Sequence, residues 1–155
     1  MEDLAVSELF SGVAARFPTI YDFEQYLATL PQLPEKVDHV FSGGVYIRQL
    51  TIPEDSIIIG KRHRHETCNI LLKGEMSIYM GEGIPAQRIK GPLLFTSKPM
   101  TKKMAYCHEE CIFANIHPTD ETDLEKIEEH FIIPEEEFLK LGSGNINEIE
   151  RGEIK

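Results

Sequence analysis

The spacing of apolar and polar positions divides the chain into three stretches. In DLAVSELFSGVAARF, Leu4, Leu9, Val13 and Phe17 recur at roughly helical spacing behind Asp3, which can act as an N-cap. Pro18 ends that run. TIYDFEQYLATL then carries Phe23, Tyr26, Leu27 and Leu30 at i, i+3, i+4 and i+7, the stripe of a helix that buries one face. Pro31 and Pro34 close it. From about Val37 to His117 the period shortens to that of strands. VDHVF, VYIRQLTI, SIIIGKRH, CNILLK, MSIYMG, QRIK, LLFTS, KKMAYC and CIFANIH are separated by turn signals such as Gly43-Gly44, Pro53-Glu54-Asp55, Gly81-Glu82-Gly83 and Gly91-Pro92. Short strands at this spacing predict a sandwich or barrel. Beyond Pro118 the helical period returns. HPTDETDLEKIEEHFI offers Thr122 as N-cap with Glu125 three residues on, and Leu124, Ile127 and Phe131 as a narrow apolar stripe. Its many acids read as a solvated face. IPEEEFLKLG reads as a second short helix starting at Pro134. GSGNINEIERGEIK has little to bury and reads as a flexible tail. The expected organisation is a helical segment over 1–36, a β domain over 37–117, a helical segment over 118–141 and a tail over 142–155.

Composition adds little to that outline, and charge adds more. A chain of 155 residues, 41% hydrophobic and 27% charged, is one domain's worth. No apolar run approaches the roughly 18–20 residues of a membrane span. The N-terminal MEDLAVSELF has acids where a secretory signal has bases, so a cytoplasmic protein is expected. Cys68, Cys107 and Cys111 are odd in number and form no Cys-x-x-Cys pair, and they read as reduced thiols. The net charge is −10, but 12 acids against 4 bases lie from Pro118 onward, whereas Lys61 to Lys103 holds nine bases against three acids. An acidic protein with a basic centre disfavours duplex nucleic acid and accommodates a small anion. No Gly-rich phosphate loop, nucleophile elbow or aromatic stacking platform is present.

The basic centre also holds the most specific motif. Gly60, His63-x-His65, the apolar strand Ile70–Leu72, Gly74 and the strand EMSIYM resemble the first motif of the cupin superfamily, and GPLLFTSKPMTKKMAYCHEE is similar to the second. The resemblance covers about residues 37 to 117. It implies a mainly β fold, a cupin-like β-barrel of the jelly-roll type, here with N-terminal helices and an acidic C-terminal helix. More narrowly, GKRHRHETCNILLKG and HPTDETDLEKIEEHFI resemble small uncharacterised cupin-like proteins of tailed bacteriophages, which implies the cytoplasm of a host cell. In many cupins the His-x-His pair, a carboxylate and a later histidine hold a divalent metal, so the resemblance implies zinc, manganese or iron as a candidate cofactor. On a strand, residues i and i+2 share a face, so His63 and His65 can offer imidazoles to one ion. The sequence departs from the pattern twice. Asn69 sits nearest the carboxylate position, and Lys102 or Lys103 stands where the second histidine would be. Glu66, Cys107 and His108 are the candidate further ligands, with His117 nearby.

Three functions follow. The first is binding of a small anion, such as a host nucleotide or metabolite, by a non-catalytic pocket. Lys61, His63 and His65 share one face of the motif there, Lys103 enters from a later strand and Asn69 reads an amide or base edge. The second is a cupin-type metalloenzyme, an isomerase or oxygenase, built on His63 and His65. The third is an assembly module. Homodimerisation through edge strands and terminal helices is expected in each case.

Overall fold

A computed structural model describes residues 10–34, 36–81 and 84–144. Asp3, Leu4 and Leu9, the Glu82-Gly83 part of one turn and most of the expected tail lie outside the described residues. Among the described residues nine strands are formed: β1 (Lys36–Ser42), β2 (Val45–Ile52), β3 (Ser56–Ile59), β4 (Thr67–Lys73), β5 (Glu75–Tyr79), β6 (Gln87–Lys90), β7 (Leu93–Ser97), β8 (Met104–Cys107) and β9 (Cys111–Pro118). Antiparallel pairing nests β5 with β6, β4 with β7, β3 with β8 and β2 with β9. Such nesting is one long hairpin wound onto itself, a double-sheet jelly roll. One sheet has the order β1-β2-β9-β4-β7 and the other β3-β8-β5-β6.

The expected barrel is corrected in one respect: the two sheets face each other without closing. Two of the places where the chain crosses between them carry proline, Pro53 before β3 and Pro92 before β7. Proline has no N–H to donate, so ladders stop at these corners rather than running round them. Between the sheets Ile52, Leu71, Met76, Ile78, Cys107, Cys111 and Phe113 are buried together. Gly74 has φ +94, and a Cβ there would collide with the carbonyl oxygen of Glu110 and with Cys111 Sγ, so the β4–β5 turn requires glycine.

Helix α1 occupies 10–16 and α2 is Ile20–Leu27. Thr19 caps α2 through a reciprocal pair of hydrogen bonds with Asp22, each 3.1 Å. Phe10 and Phe23 pack with Met104, Ile57, Ile59, Tyr79 and Tyr106 on the outer face of the four-stranded sheet. That packing is why SIII is apolar on both faces: Ile58 joins the core while Ile57 and Ile59 lie beneath the helices. Tyr26 and Leu30, expected in the α2 stripe, are exposed. Among the described residues no helix is long and apolar enough to cross a membrane.

At the other end of the chain, α3 (Leu124–Phe131) lies over one mouth of the sandwich and is followed by α4 (Glu135–Gly144). The cap of α3 is Asp123, not Thr122: its Oδ1 accepts from the N–H groups of Glu125 and Lys126 at 3.0 and 3.4 Å. Ile127 and Phe131 bury against Tyr46. The acids of this region were expected to face solvent alone, and several instead engage the basic run. Glu135 takes a forked pair of hydrogen bonds from Arg62 at 3.1 and 3.3 Å, Glu137 takes another from Arg64 at the same distances, and Glu128 pairs with Lys61.

Candidate functional site

The stretch from Gly60 to Glu66 is not a continuation of β3. Only His63 makes an isolated bridge, to Ile132. The N–H of Arg64 donates to the Phe131 carbonyl at 2.8 Å, and that of Ile133 to the Arg62 carbonyl at 3.0 Å. Met100 and Thr101 bind His63 on the other side, through the Met100 N–H (2.8 Å) and the Thr101 carbonyl (3.2 Å). The segment therefore takes its backbone partners from the C-terminal region and the loop before β8. Period-2 alternation does not hold here, so the expectation that His63 and His65 face one interior is corrected. His63 is buried; His65 is exposed, ringed by His130 and Phe131.

His63 opens on a cavity of about 390 Å³ between the sheets, within the size of small-molecule sites. The register across the five-stranded sheet builds one wall. Tyr46 stands opposite His117, Arg48 opposite Asn115, and Leu50 opposite Phe113. Alternate residues share a face, so these pairs form successive rungs, first aromatic, then cationic and amide, then apolar. Each of these six side chains lines the cavity. Lys103 enters from the opposite sheet, just before β8. The adjacent Lys102 goes the other way and pairs with Glu24 of α2 at 3.0 Å.

The polar end is held by stacked rings. His39 lies against Tyr46, Tyr46 against His117 and His117 against His63, with centroids 5.9, 5.8 and 5.5 Å apart. His39 Nδ1 and the Tyr46 hydroxyl are 2.7 Å apart. The Thr67 hydroxyl donates to the His65 carbonyl at 3.1 Å, so it accepts from His63 Nδ1, also at 3.1 Å. That assignment leaves Nε2 of His63 as an acceptor. Behind the cationic rung, Asn115 Nδ2 donates to Asn69 Oδ1 at 2.6 Å. Asn69 in turn donates to the carbonyls of Thr67 and Phe95 and to Ser97 Oγ. Asn69 is thus engaged within the sheet and does not line the cavity. Its expected role as a direct reader of ligand is corrected to that of a support for Asn115.

Electrostatics at this end are cationic. Lys103 is 9% exposed, and burial pushes its ammonium down to about 8. Burial, then the charges of Lys103 and Arg48, push His117 down to about 4. His63 is pushed down to about 3 by burial first and then by Lys103, His117 and Arg48. Both imidazoles are therefore neutral near pH 7 beside two cations. Among the described residues no carboxylate pairs with Lys103 or Arg48. Lys61 lines the mouth, where Glu128 holds it.

These donors do not fit a divalent cation. The rings of His63 and His117 lie nearly parallel, 18° apart, so their lone pairs run side by side instead of converging. Lys103 and Arg48 would repel the ion. Glu66 and His65 are exposed outside the cavity. His108 Nε2 is bound to Ser77 Oγ at 2.8 Å, away from the cavity lining. Cys107 is buried in the core, where its hydrogen bond with Cys111 and desolvation push its thiol up. Among the described residues no group of three or more His, Cys, Asp or Glu side chains is placed to hold a metal.

Sequence reasoning thus missed Arg48, Tyr46, His39 and Asn115, and named His117 only as lying near the candidate metal ligands. A signal existed. In VYIRQLTI and CIFANIH the face holding Leu50, Ile52 and Phe113 also holds Arg48, Asn115 and His117. Polar residues on the apolar face of a predicted strand mark a lined cavity.

No protein-family model matches the chain, and no curated protein matches it. Among solved structures it is similar to an RmlC-like cupin family protein with a double-stranded β-helix fold from Methanocaldococcus jannaschii. The identity is 15% and the TM-score 0.47, over 56% of this chain and 82% of that one. It is also similar to an uncharacterised conserved protein with a double-stranded β-helix domain from Klebsiella pneumoniae, at 18% identity, TM-score 0.47, 56% of this chain and 79% of that one. A cupin-2 domain protein from Shewanella frigidimarina matches at 11% identity and TM-score 0.43, over 63% of this chain and 92% of that one. At these identities and TM-scores the likeness adds nothing to the fold given by the nested strand pairing.

Proposed function

We propose that the chain is a small-molecule binding module whose ligand is an anion held between Arg48 and Lys103. The observation that carries this reading is the pair of cations on the cavity wall, one of them deeply buried, with no carboxylate beside either among the described residues. Desolvated ammonium and guanidinium groups are stabilised by oxyanions, and His63, His117 and Asn115 add polar contacts around them. An acidic host metabolite, the kind of ligand suggested by the phage resemblance, would be held by its acidic group. Inorganic phosphate and acetate test the head site directly. Each is expected to raise the melting temperature of the wild-type chain at pH 7, and Lys103→Met is expected to abolish the increase. Equal stabilisation of wild type and Lys103→Met would defeat the reading.

We also propose that copies pair through β1. This strand ends the five-stranded sheet, is exposed on both faces over most of its length, and presents Val40 and Phe41 to solvent. An open edge strand can pair with a second copy of itself about a twofold axis.

A further inference from the structure

The inner end of the cavity has the opposite character to its mouth. On the five-stranded sheet the Arg48–Asn115 rung is followed by Leu50–Phe113 and then by Ile52. On the facing sheet Lys103 is followed by Ala105, which pairs with Ile58 on one side and Ile78 on the other. Met76 lies one rung further in, opposite Cys107. Ile52, Met76, Ile78 and Phe113 are all buried, and each lines the cavity. The exposed lining residues, His39, Lys61, Leu124 and Glu128, all lie with the polar end and with α3. Entry is therefore at the cationic end. From the Arg48 rung to the Ile52 rung is four residues of strand, about 13 Å.

We infer that the ligand is an amphipathic anion, with one oxyanion head at Arg48 and Lys103 and an uncharged apolar body reaching inward to Met76 and Ile78. The inference rests on the anion reading above and goes further, because it assigns the inner half of the cavity. An inorganic ion would leave Leu50, Ile52, Ile58, Met76, Ile78 and Phe113 unused. A dianion with charges at both ends would bury its second charge against them without a partner. A nucleotide would press ring nitrogens and exocyclic groups on a floor that offers no side-chain donor or acceptor. A fatty acid, an aryl carboxylate or an alkyl phosphate satisfies both ends at once.

Calorimetric titration of the full chain at pH 7 with straight-chain carboxylates, acetate through decanoate, tests the inference. Alkyl phosphates and the matching primary alcohols form parallel arms, and the two acidic series tell a carboxylate head from a phosphate head. Affinity is expected to rise about fourfold per added methylene until the floor is reached, and then to stop rising. Each alcohol is expected to bind at least tenfold more weakly than its acid. Ala105→Leu fills the floor, so the decanoate-to-butanoate affinity ratio is expected to fall more than tenfold. Met76→Ala enlarges the floor and is expected to raise that ratio, which keeps the test open if Ala105→Leu does not fold. Acetate and phosphate binding with no gain along the chain series would overturn the apolar body and leave the anion site standing. Alcohols binding as tightly as acids would overturn the placement of the head. If neither phosphate nor any acid binds, the anion reading itself fails, and this inference with it.

Discussion

Lys103 keeps an ammonium group in a cavity lined otherwise by the Arg48 guanidinium, the Tyr46 phenol, imidazole, amide and hydrocarbon, with Lys61 and Glu128 at the mouth. Its depression from the ordinary lysine value of 10.5 to about 8 means that folding opposes its charge. Between those values the unfolded chain binds the extra proton, so stability rises with pH there; below about 8 both states are protonated and the full cost is present. Replacing the side chain by one of similar length and no charge should remove that cost. Lys103→Met is therefore expected to stabilise the ligand-free chain at pH 7 by on the order of 3 kcal/mol. Urea unfolding from pH 7 to 10.5 is the measurement. The advantage of the variant should be widest below pH 8 and should close towards 10.5. A residue that destabilises the fold it sits in is best explained by what it binds. The sequence pointed to Lys103 only because a histidine was missing there, and it gave no sign that Lys102 would turn outward to Glu24. Adjacent residues of an extended segment point to opposite sides, but which of two lysines faces inward depends on the register of the strand that follows, and that register is set where β8 pairs with β3 and β5.

At the scale of elements, the loop from Gly60 to Glu66 is shaped by what lies against it. Arg62 stacks its guanidinium 3.6 Å above the Phe138 ring and forks onto Glu135, both partners of the pair being mostly buried. Arg64 and Glu137 make the same fork at the surface. Equal geometry with unequal burial predicts unequal cost. Arg62→Ala is expected to destabilise the chain by about 2–4 kcal/mol, because it leaves Glu135 without its partner in a desolvated position. Arg64→Ala should cost less than about 1 kcal/mol. Thermal unfolding of the two variants side by side checks the contrast, and equal losses would contradict it. This clamp explains why the motif was misread as strand. GKRHRH has the alternation of an exposed edge, but its backbone partners come from residues 131–133 and 100–101, which are far away in the chain. The strand segments themselves were legible because Gly and Pro punctuate them and because inward and outward residues alternate. The cap of α3 was placed one residue early, since Thr122 and Asp123 both satisfy the cap chemistry and only the dihedrals choose between them.

For the whole molecule, the asymmetry of charge in the sequence becomes an asymmetry of structure. The acidic C-terminal region folds onto the basic loop, and in the cavity Arg48 and Lys103 pair with no carboxylate among the described residues. The exposed β1 edge belongs to the same scale. If copies pair along it, light scattering should give twice the chain mass, and Val40→Lys with Phe41→Lys should return the chain mass without loss of melting temperature. A double variant that keeps the wild-type mass would remove β1 from the interface.

The sequence by itself determined a mainly β fold, the nine strand segments found among the described residues, the flanking helices and the basic centre, because periodicity and turn residues are local quantities that neighbours in the chain decide. Only the tertiary structure decided which side chains meet. His63 is joined by His117, Arg48, Asn115 and Tyr46 rather than by His65, since the nested pairing of β2 with β9 brings residues about 70 positions apart onto one rung. Such proximity is a property of register and sheet order, and no window along the chain contains it.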